Sequence, residues 1–489
     1  MANFETPIVP RVLSALLRPY LRRLARSSRP RYSGELTLPG LKKQVNVYWQ
    51  NEGIPHVIAA SEPDLFLAQG YLHAQERLWQ MDLARRFLSG RMAEILGRFP
   101  VPWRELTSQF RGHDTVDADY FMRLVGIRRS ALASLEFLHD DDRQRLEAYC
   151  CGVNRFIEQC GKHLPLEFRL LRYQPDPWRA EDTLTIGKGF AFLLALPLFT
   201  RLNAMAVAAR LSDAPELLYE LYPTYSDDEF TITRGLWDST EKLWQFGAGM
   251  LGGCDWYPAA HGSNAWVIGP SRSSQNCAIL CNDPHLRMTL PPVWYLMELG
   301  AEAASIQGHR YEVWGVTVPG LPGVQVGHNR WIAWGITAAL CDDVDIYREK
   351  IDPSEPDRYE VDGRWQLMER YSETIQVRRK APVEKIVRCT RHGPVISDFD
   401  GRTSTQEALS LRWTAHEPGQ DLRAVFGLNR ARNWDEFLQA LSHQSTPTLN
   451  VIYADRKGNI GYSLAGKVPL RTGAPSVLPR EGWRGDHEW

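Results

Sequence analysis

The hydrophobic period of this chain changes once along its length, and that change limits the folds open to it. From Pro63 to Gly97 the side chains of Leu65, Ala68, Leu72, Leu78, Leu83 and Phe87 recur at helical intervals, and similar patterns run over 117–138 and 140–160. After Ser263 the apolar residues fall instead in short β-prone runs, among them 265–268, 278–280, 331–334 and 449–453. Helices gathered ahead of strands predict an α+β fold. Glycine-rich sequence at 226–262 separates the two halves and reads as a spacer. One β feature precedes the helices: the runs 45–49 and 54–59 flank Asn51-Glu52-Gly53 and predict a hairpin. The chain thus divides into a basic segment at 1–34, a mostly helical region at 35–225, the spacer, and a sheet-rich region at 263–489.

Composition narrows function by exclusion. With 489 residues, 44% of them hydrophobic, the chain has enough apolar sequence for a large core. Lys and Arg number 57 against 58 Asp and Glu, so no global positive field recruits nucleic acid. The eight cysteines include no CxxC pair, so they read as buried or incidental thiols and not as zinc ligands. The longest apolar run, 189–199, is too short for a membrane span. Residues 11–28 set Arg11, Arg18, Arg22, Arg23 and Arg26 among leucines at helical spacing. Such a basic amphipathic helix docks on its own protein, or makes weak contact with an anionic membrane surface. It lacks the apolar core of a cleavable export signal, which sets a cytoplasmic expectation with the periplasm as the alternative.

Common catalytic patterns are missing: the sequence holds no GxSxG elbow, HExxH helix, P-loop or EF-hand loop. Gly247-Ala-Gly249-Met-Leu-Gly252 matches GxGxxG formally, yet no strand leads into it, and it reads as part of the spacer. What is left is the junction His261-Gly262-Ser263-Asn264, where a Gly-Ser bond lies between the spacer and an apolar strand. Spacing and propensity alone leave Ser263 an ordinary strand-start residue.

Several blocks, taken in order, say more. They are Gly53-Ile-Pro-His56 with 68–82 and Gly90-Arg-Met-Ala-Glu94; Gly262-Ser263-Asn264 with Asn282-Asp-Pro-His285; Val326-Gly-His-Asn329 with Trp334-Gly-Ile-Thr-Ala338 and Asp342-Asp-Val-Asp345; and 449–455 with Gly458-Asn-Ile-Gly-Tyr462. On these the sequence resembles the penicillin acylase family of N-terminal nucleophile hydrolases, which includes cephalosporin acylases and acyl-homoserine-lactone acylases. The resemblance implies a four-layer αββα fold and a precursor cut between Gly262 and Ser263, whose α and β chains stay together as a heterodimer. Gly262 suits that step because, without a Cβ, it permits backbone strain and close approach. Cleavage gives Ser263 a free α-amine with a reference pKa of about 7.7–8.0, a usable base near neutrality.

By the same resemblance Ser263 is the nucleophile, and the backbone N–H of Ala338 and the side-chain amide of Asn450 are the oxyanion donors. His285 orients the amine, and Arg471 positions Asn450 or substrate. No cofactor is implied for catalysis. Asp342 and Asp345 resemble carboxylates that hold a structural calcium in some members, although the family's ligand from the helical chain falls near Thr200 here. The implied reaction is hydrolysis of the acyl-side-chain amide of an N-acylated small molecule, a β-lactam or related compound, with N-acyl homoserine lactones as the alternative. In the family the block ending at Trp489 lies well inside the second chain. The sheet-rich half is therefore expected to be incomplete, and a truncated non-catalytic remnant is the competing expectation.

Overall fold

A computed structural model describes residues 18–26, 28–50, 53–99, 114–211, 217, 220, 262–286, 289–302, 310–401, 406–472 and 477–489. The expected spacer, with its glycine motif at 247–252, lies outside the described residues except for Gly262, and of the basic N-terminal segment 18–26 is helical. Among the described residues no single helix is long and apolar enough to cross a membrane.

The long helical period forms α1 (Glu62–Leu88). Extended Ser61 caps it by accepting from the Asp64 N–H, and Pro63 sits in the first turn, where its missing N–H costs nothing. The helix stops at Leu88, short of the expected Gly97, because the chain turns through Gly90 at φ 62°. The pattern over 117–138 likewise gives two helices, Thr115–Val125 and α2 (Ile127–Glu136), broken at Gly126 with φ 81°. Then come α3 (Asp140–Cys160), α4 (Ala180–Leu194) and α5 (Leu196–Arg210). Helices α1 and α3 press together at two glycines. A Cβ on Gly70 would stand 2.1 Å from the Tyr149 carbonyl oxygen, and one on Gly152 would stand 1.9 Å from that of Leu67.

The predicted hairpin forms as β1 (Val45–Trp49) and β2 (Pro55–Ala59). Beyond the spacer come β3 (Ser263–Ile268), β4 (Ile279–Pro284), β5 (Tyr295–Ala301), β6 (Tyr311–Thr317), β7 (Val326–Asn329), β8 (Ile332–Ala338) and β9 (Val344–Lys350). The smaller strands β10 (Arg358–Val361) and β11 (Arg364–Leu367) form one hairpin, and β12 (Glu369–Ile375), β13 (Val383–Thr390) and β14 (Gly393–Pro394) form a separate sheet. Strand β15 (Glu407–Trp413) pairs with β9. Helices α6 (Asp421–Arg430) and α7 (Trp434–Leu441) lead to β16 (Leu449–Asp455), β17 (Ile460–Ala465) and β18 (Arg480–Glu481).

The principal sheet has eight strands in the order β1-β2-β5-β6-β7-β8-β16-β17. The N-terminal hairpin joins it through a parallel ladder that sets His56 opposite Glu298 and Ala59 opposite Ala301. A side chain from α1 adds a second link: the Gln69 amide donates to the Gly323 carbonyl at 3.2 Å and accepts the Gly323 N–H at 2.9 Å. The helical and sheet-rich regions therefore share one sheet and one core, in which Phe66, Val313, Trp334 and Tyr453 are buried.

Candidate active site

Strand β3 opens at Ser263, which is half-buried and lies opposite Pro284 of β4. One more hydrogen bond extends the hairpin past the junction: the His285 N–H donates to the Gly262 carbonyl oxygen at 3.0 Å. Gly262 is exposed, a Cβ there would meet nothing within 4 Å, and its φ is not positive.

The hairpin is fastened to the principal sheet by Asn282. Its amide donates to the carbonyls of Ile336 at 2.9 Å and Asn264 at 3.0 Å, and its oxygen accepts the Ile336 N–H at 3.0 Å. Gly335 makes room for this contact, since a Cβ there would come within 2.9 Å of that of Asn282. Sequence reasoning fixed on His285 and passed over Asn282 in the same block. The available signal was an asparagine on a strand, a residue type that strands disfavour unless its amide is used.

The fastening brings β3 and β4 beside β8 and β16. Across the β8–β16 ladder Leu449 faces Ala338 and Asn450 faces Thr337. The Asn450 amide donates to Thr337 Oγ1 at 3.0 Å and the Ala338 carbonyl at 3.3 Å, while the Tyr462 hydroxyl donates to its oxygen at 2.8 Å. Ser263 and Ala338 both border a cavity of about 160 Å³. Its walls are mainly apolar, with Phe190 and Leu194 from α4, Trp294, Leu321, Leu422 and Leu449. No helix is expected at 180–194 from the sequence, and the apolar run at 189–199 does not show which face of α4 borders a void.

One polar corner interrupts these walls, where Lys188 of α4, Asp421 of α6 and Thr446 meet the cavity. The Lys188 ammonium donates to the Glu417 carbonyl at 3.0 Å and lies 4.0 Å from Asp421 Oδ2. Burial pushes the Lys188 pKa down and that of Asp421 up.

Two of the expected catalytic residues lie elsewhere or face elsewhere. The exposed His285 ring points to Asp283, 2.8 Å from Oδ2, and does not border the cavity. Arg471, expected to position Asn450 or substrate, donates to Asp345 Oδ2 at 2.6 Å and to the Asp342 carbonyl at 2.7 Å. Asp345 is fully buried, and its other oxygen lies 2.8 Å from Arg201 Nη2, which also contacts both oxygens of Asp342 at 2.8 Å. The Trp489 indole adds a hydrogen bond to Asp345 Oδ2 at 2.6 Å.

This cluster does not fit calcium, which takes six to eight oxygen ligands. A divalent cation would sit among guanidinium groups, and among the described residues no group of three or more His, Cys, Asp or Glu is arranged to hold a metal ion. The physical reason is that Arg201, the neighbour of Thr200, and Arg471 together supply the fixed positive charge that balances the two carboxylates. The first sequence block is structural as well: buried Asp82 is paired with Arg85 and Arg86, and Arg86 with Glu94.

A profile of the penicillin amidase family matches residues 44–489. The chain belongs to the penicillin amidase family. Its mixed α+β fold, with helices ahead of a sheet-rich second half, is the one that membership predicts. Among relatives in this family, the acyl-homoserine lactone acylase QuiP of Pseudomonas aeruginosa is 28% identical over 486 residues, covering 94% of this chain and 54% of the relative. The penicillin acylase 2 proenzyme of a Pseudomonas species, strain SE83, is 29% identical over 500 residues, covering 96% and 58%. A solved thermostable penicillin G acylase from Alcaligenes faecalis is similar over 46% of this chain and 39% of its own, at 34% identity and a TM-score of 0.41. The chain spans about half the length of the curated relatives it matches.

Proposed function

We propose that this chain belongs to a self-processing N-terminal serine amidohydrolase that removes the acyl group from a small N-acylated molecule. The observation that carries the reading is the placement of Ser263: it follows an exposed glycine, opens a strand, and borders an apolar cavity together with Ala338. In the first step the Ser263 hydroxyl attacks the Gly262 carbonyl, the C–N bond breaks and the peptide becomes an ester. The His285 N–H, already hydrogen-bonded to that carbonyl oxygen, is placed to stabilise the negative charge that develops there. Water then hydrolyses the ester, leaving the Gly262 carboxylate and a free Ser263 amine. The two polypeptides remain as an α/β heterodimer.

In turnover the Ser263 oxygen attacks the substrate amide carbon and its amine takes the hydroxyl proton, directly or through a water. That proton passes to the leaving amine as the acyl-enzyme forms. Water, deprotonated by the same amine, then releases the acid. The Ala338 N–H and the Asn450 amide serve as oxyanion donors, Asn450 turning from its strand contacts to do so. β-Lactam side chains and N-acyl homoserine lactones are the substrate classes borne by the names of its relatives.

The test is intact mass and N-terminal sequencing of the purified protein beside Ser263→Ala. The expected result is a wild-type chain beginning Ser-Asn-Ala-Trp and an uncut variant without amidase activity. A folded wild type that stays whole would reject the self-processing reading.

A further inference from the structure

The polar corner of the cavity is not explained by the hydrolysis itself. Lys188 is 3% exposed and its ammonium carries three donors, of which the Glu417 carbonyl takes one. Asp421, at 4.0 Å, is beyond hydrogen-bond distance from it. Asp421 is itself held in place, since its Oδ1 accepts the N–H groups of Ser445 at 2.6 Å and Thr446 at 3.1 Å. Thr446 supplies the second signal: its hydroxyl oxygen is buried with no hydrogen-bond partner among the described residues. Two donors, an ammonium N–H and a hydroxyl, thus border the same corner of an otherwise apolar cavity. Buried polar groups are nearly always satisfied, so a pair of donors bordering a cavity favours an acceptor placed between them.

We infer that Lys188 and Thr446 select an acyl group bearing a neutral oxygen, a hydroxyl or a carbonyl, within a short carbon chain. This rests on the amidohydrolase reading above and names the acyl class for the same site. Size follows from volume, because a cavity of about 150 Å³ accepts benzene and so admits about six carbons. The neutral tip follows from charge. Asp421 already balances Lys188, and an acyl carboxylate would bring a second anion against Asp421 in a poorly solvated space. The position of the oxygen follows from the elements. Ser263 enters from the β3–β4 hairpin, whereas the corner is built by α4, α6 and the segment before β16, which places the oxygen near the distal end of the chain.

The test compares amides of one chromogenic amine carrying hexanoyl, 5-hydroxyhexanoyl, 6-hydroxyhexanoyl and adipoyl groups. A hydroxylated substrate should exceed hexanoyl by about tenfold in kcat/KM, with adipoyl below both, because a site built to hydrogen-bond discriminates against the analogue lacking the group. In Lys188→Met and Thr446→Val the hydroxyl-to-hexanoyl ratio should fall toward one. Equal or better turnover of hexanoyl by the wild type, or a ratio that survives in both variants, overturns the assignment. Thermal shifts with 6-hydroxyhexanoate and hexanoate, read on the wild-type protein, separate the two proposals. If no amide is cleaved but the hydroxy acid stabilises the protein more, the amidase reading fails and the pocket assignment stands. If neither acid is preferred, the pocket assignment fails.

Discussion

Among the described residues, the buried ion-pair cluster around β9 and the candidate chemistry occupy different places. Around β9, Asp345 is enclosed by Arg201 and Arg471, and nearby Glu349 accepts from Ser410 at 2.6 Å and Thr390 at 2.8 Å on a single oxygen. His392 bridges Glu349 at 2.8 Å and Glu488 at 3.0 Å, with its ring stacked on Tyr347 at 3.8 Å. The Ser263 cavity has one lysine, one aspartate and mostly hydrocarbon. The difference teaches that here a crowd of ionised side chains marks where the strands around β9 are tied to the segment at 480–489, whereas the proposed chemistry asks for a placed hydroxyl and a few uncharged donors.

If that contrast is right, damage to the β9 cluster should appear in stability and damage around the cavity in turnover. The largest effect is expected from Arg201→Met, which strands two carboxylates and should cost about 3–5 kcal/mol in urea unfolding. Chelation of divalent metals should leave the wild-type Tm unchanged, and a chelator-induced fall in Tm would show that a metal, and not Arg201, balances the aspartates. Asn450→Ala should lower kcat by about 10²- to 10³-fold, or about 2.7–4 kcal/mol, with Tm nearly unmoved. A loss confined to KM would remove Asn450 from the oxyanion role.

Asn282→Ala tests the border between the regions, because its amide is structural but holds the hairpin that carries Ser263. A cost of about 1–3 kcal/mol is expected from the polar groups it leaves unpaired, together with slower self-cleavage followed by electrophoresis. Self-cleavage at the wild-type rate would mean that the hairpin is held by other contacts. The smallest effect is a pH dependence of the β9 network. Burial pulls His392 down, but hydrogen bonds and charge from Glu349 and Glu488 push harder, and its pKa ends above 6.5. The His392 hydrogen bond is the foremost cause that lowers Glu488 to about 2. The His392 contribution is therefore complete below its ordinary value and lost as pH rises through the raised one. That of Glu488 is present above 4.5 and lost as pH falls toward about 2. His392→Gln should flatten the alkaline side of a Tm-against-pH curve, and an unchanged curve would assign that slope to another group.

Local pattern made much of the fold legible. The period from Leu65 to Phe87, the block at 140–160, the paired runs at 45–49 and 55–59 and the run at 449–453 all became the elements their spacing implies. The breaks at Gly90 and Gly126 were missed because a glycine within a helical pattern does not reveal its φ until the next element packs. Partner choice was harder still. A carboxylate was sought near Thr200, where the next residue supplies a guanidinium, and Arg471 was assigned to Asn450 when the nearer acid was Asp345. Ion pairs between residues more than a hundred positions apart leave no periodicity to read.

The parallel ladder between β2 and β5 has a consequence for how the protein is made and handled. The proposed cut between Gly262 and Ser263 would not create two subunits that dock by surface patches; it would leave two polypeptides knitted by backbone hydrogen bonds within one sheet. Either piece synthesised alone would carry an unsatisfied sheet margin and be drawn into aggregates. Fragment complementation should accordingly succeed only when both pieces fold in each other's presence, and mild dissociation followed by remixing should fail.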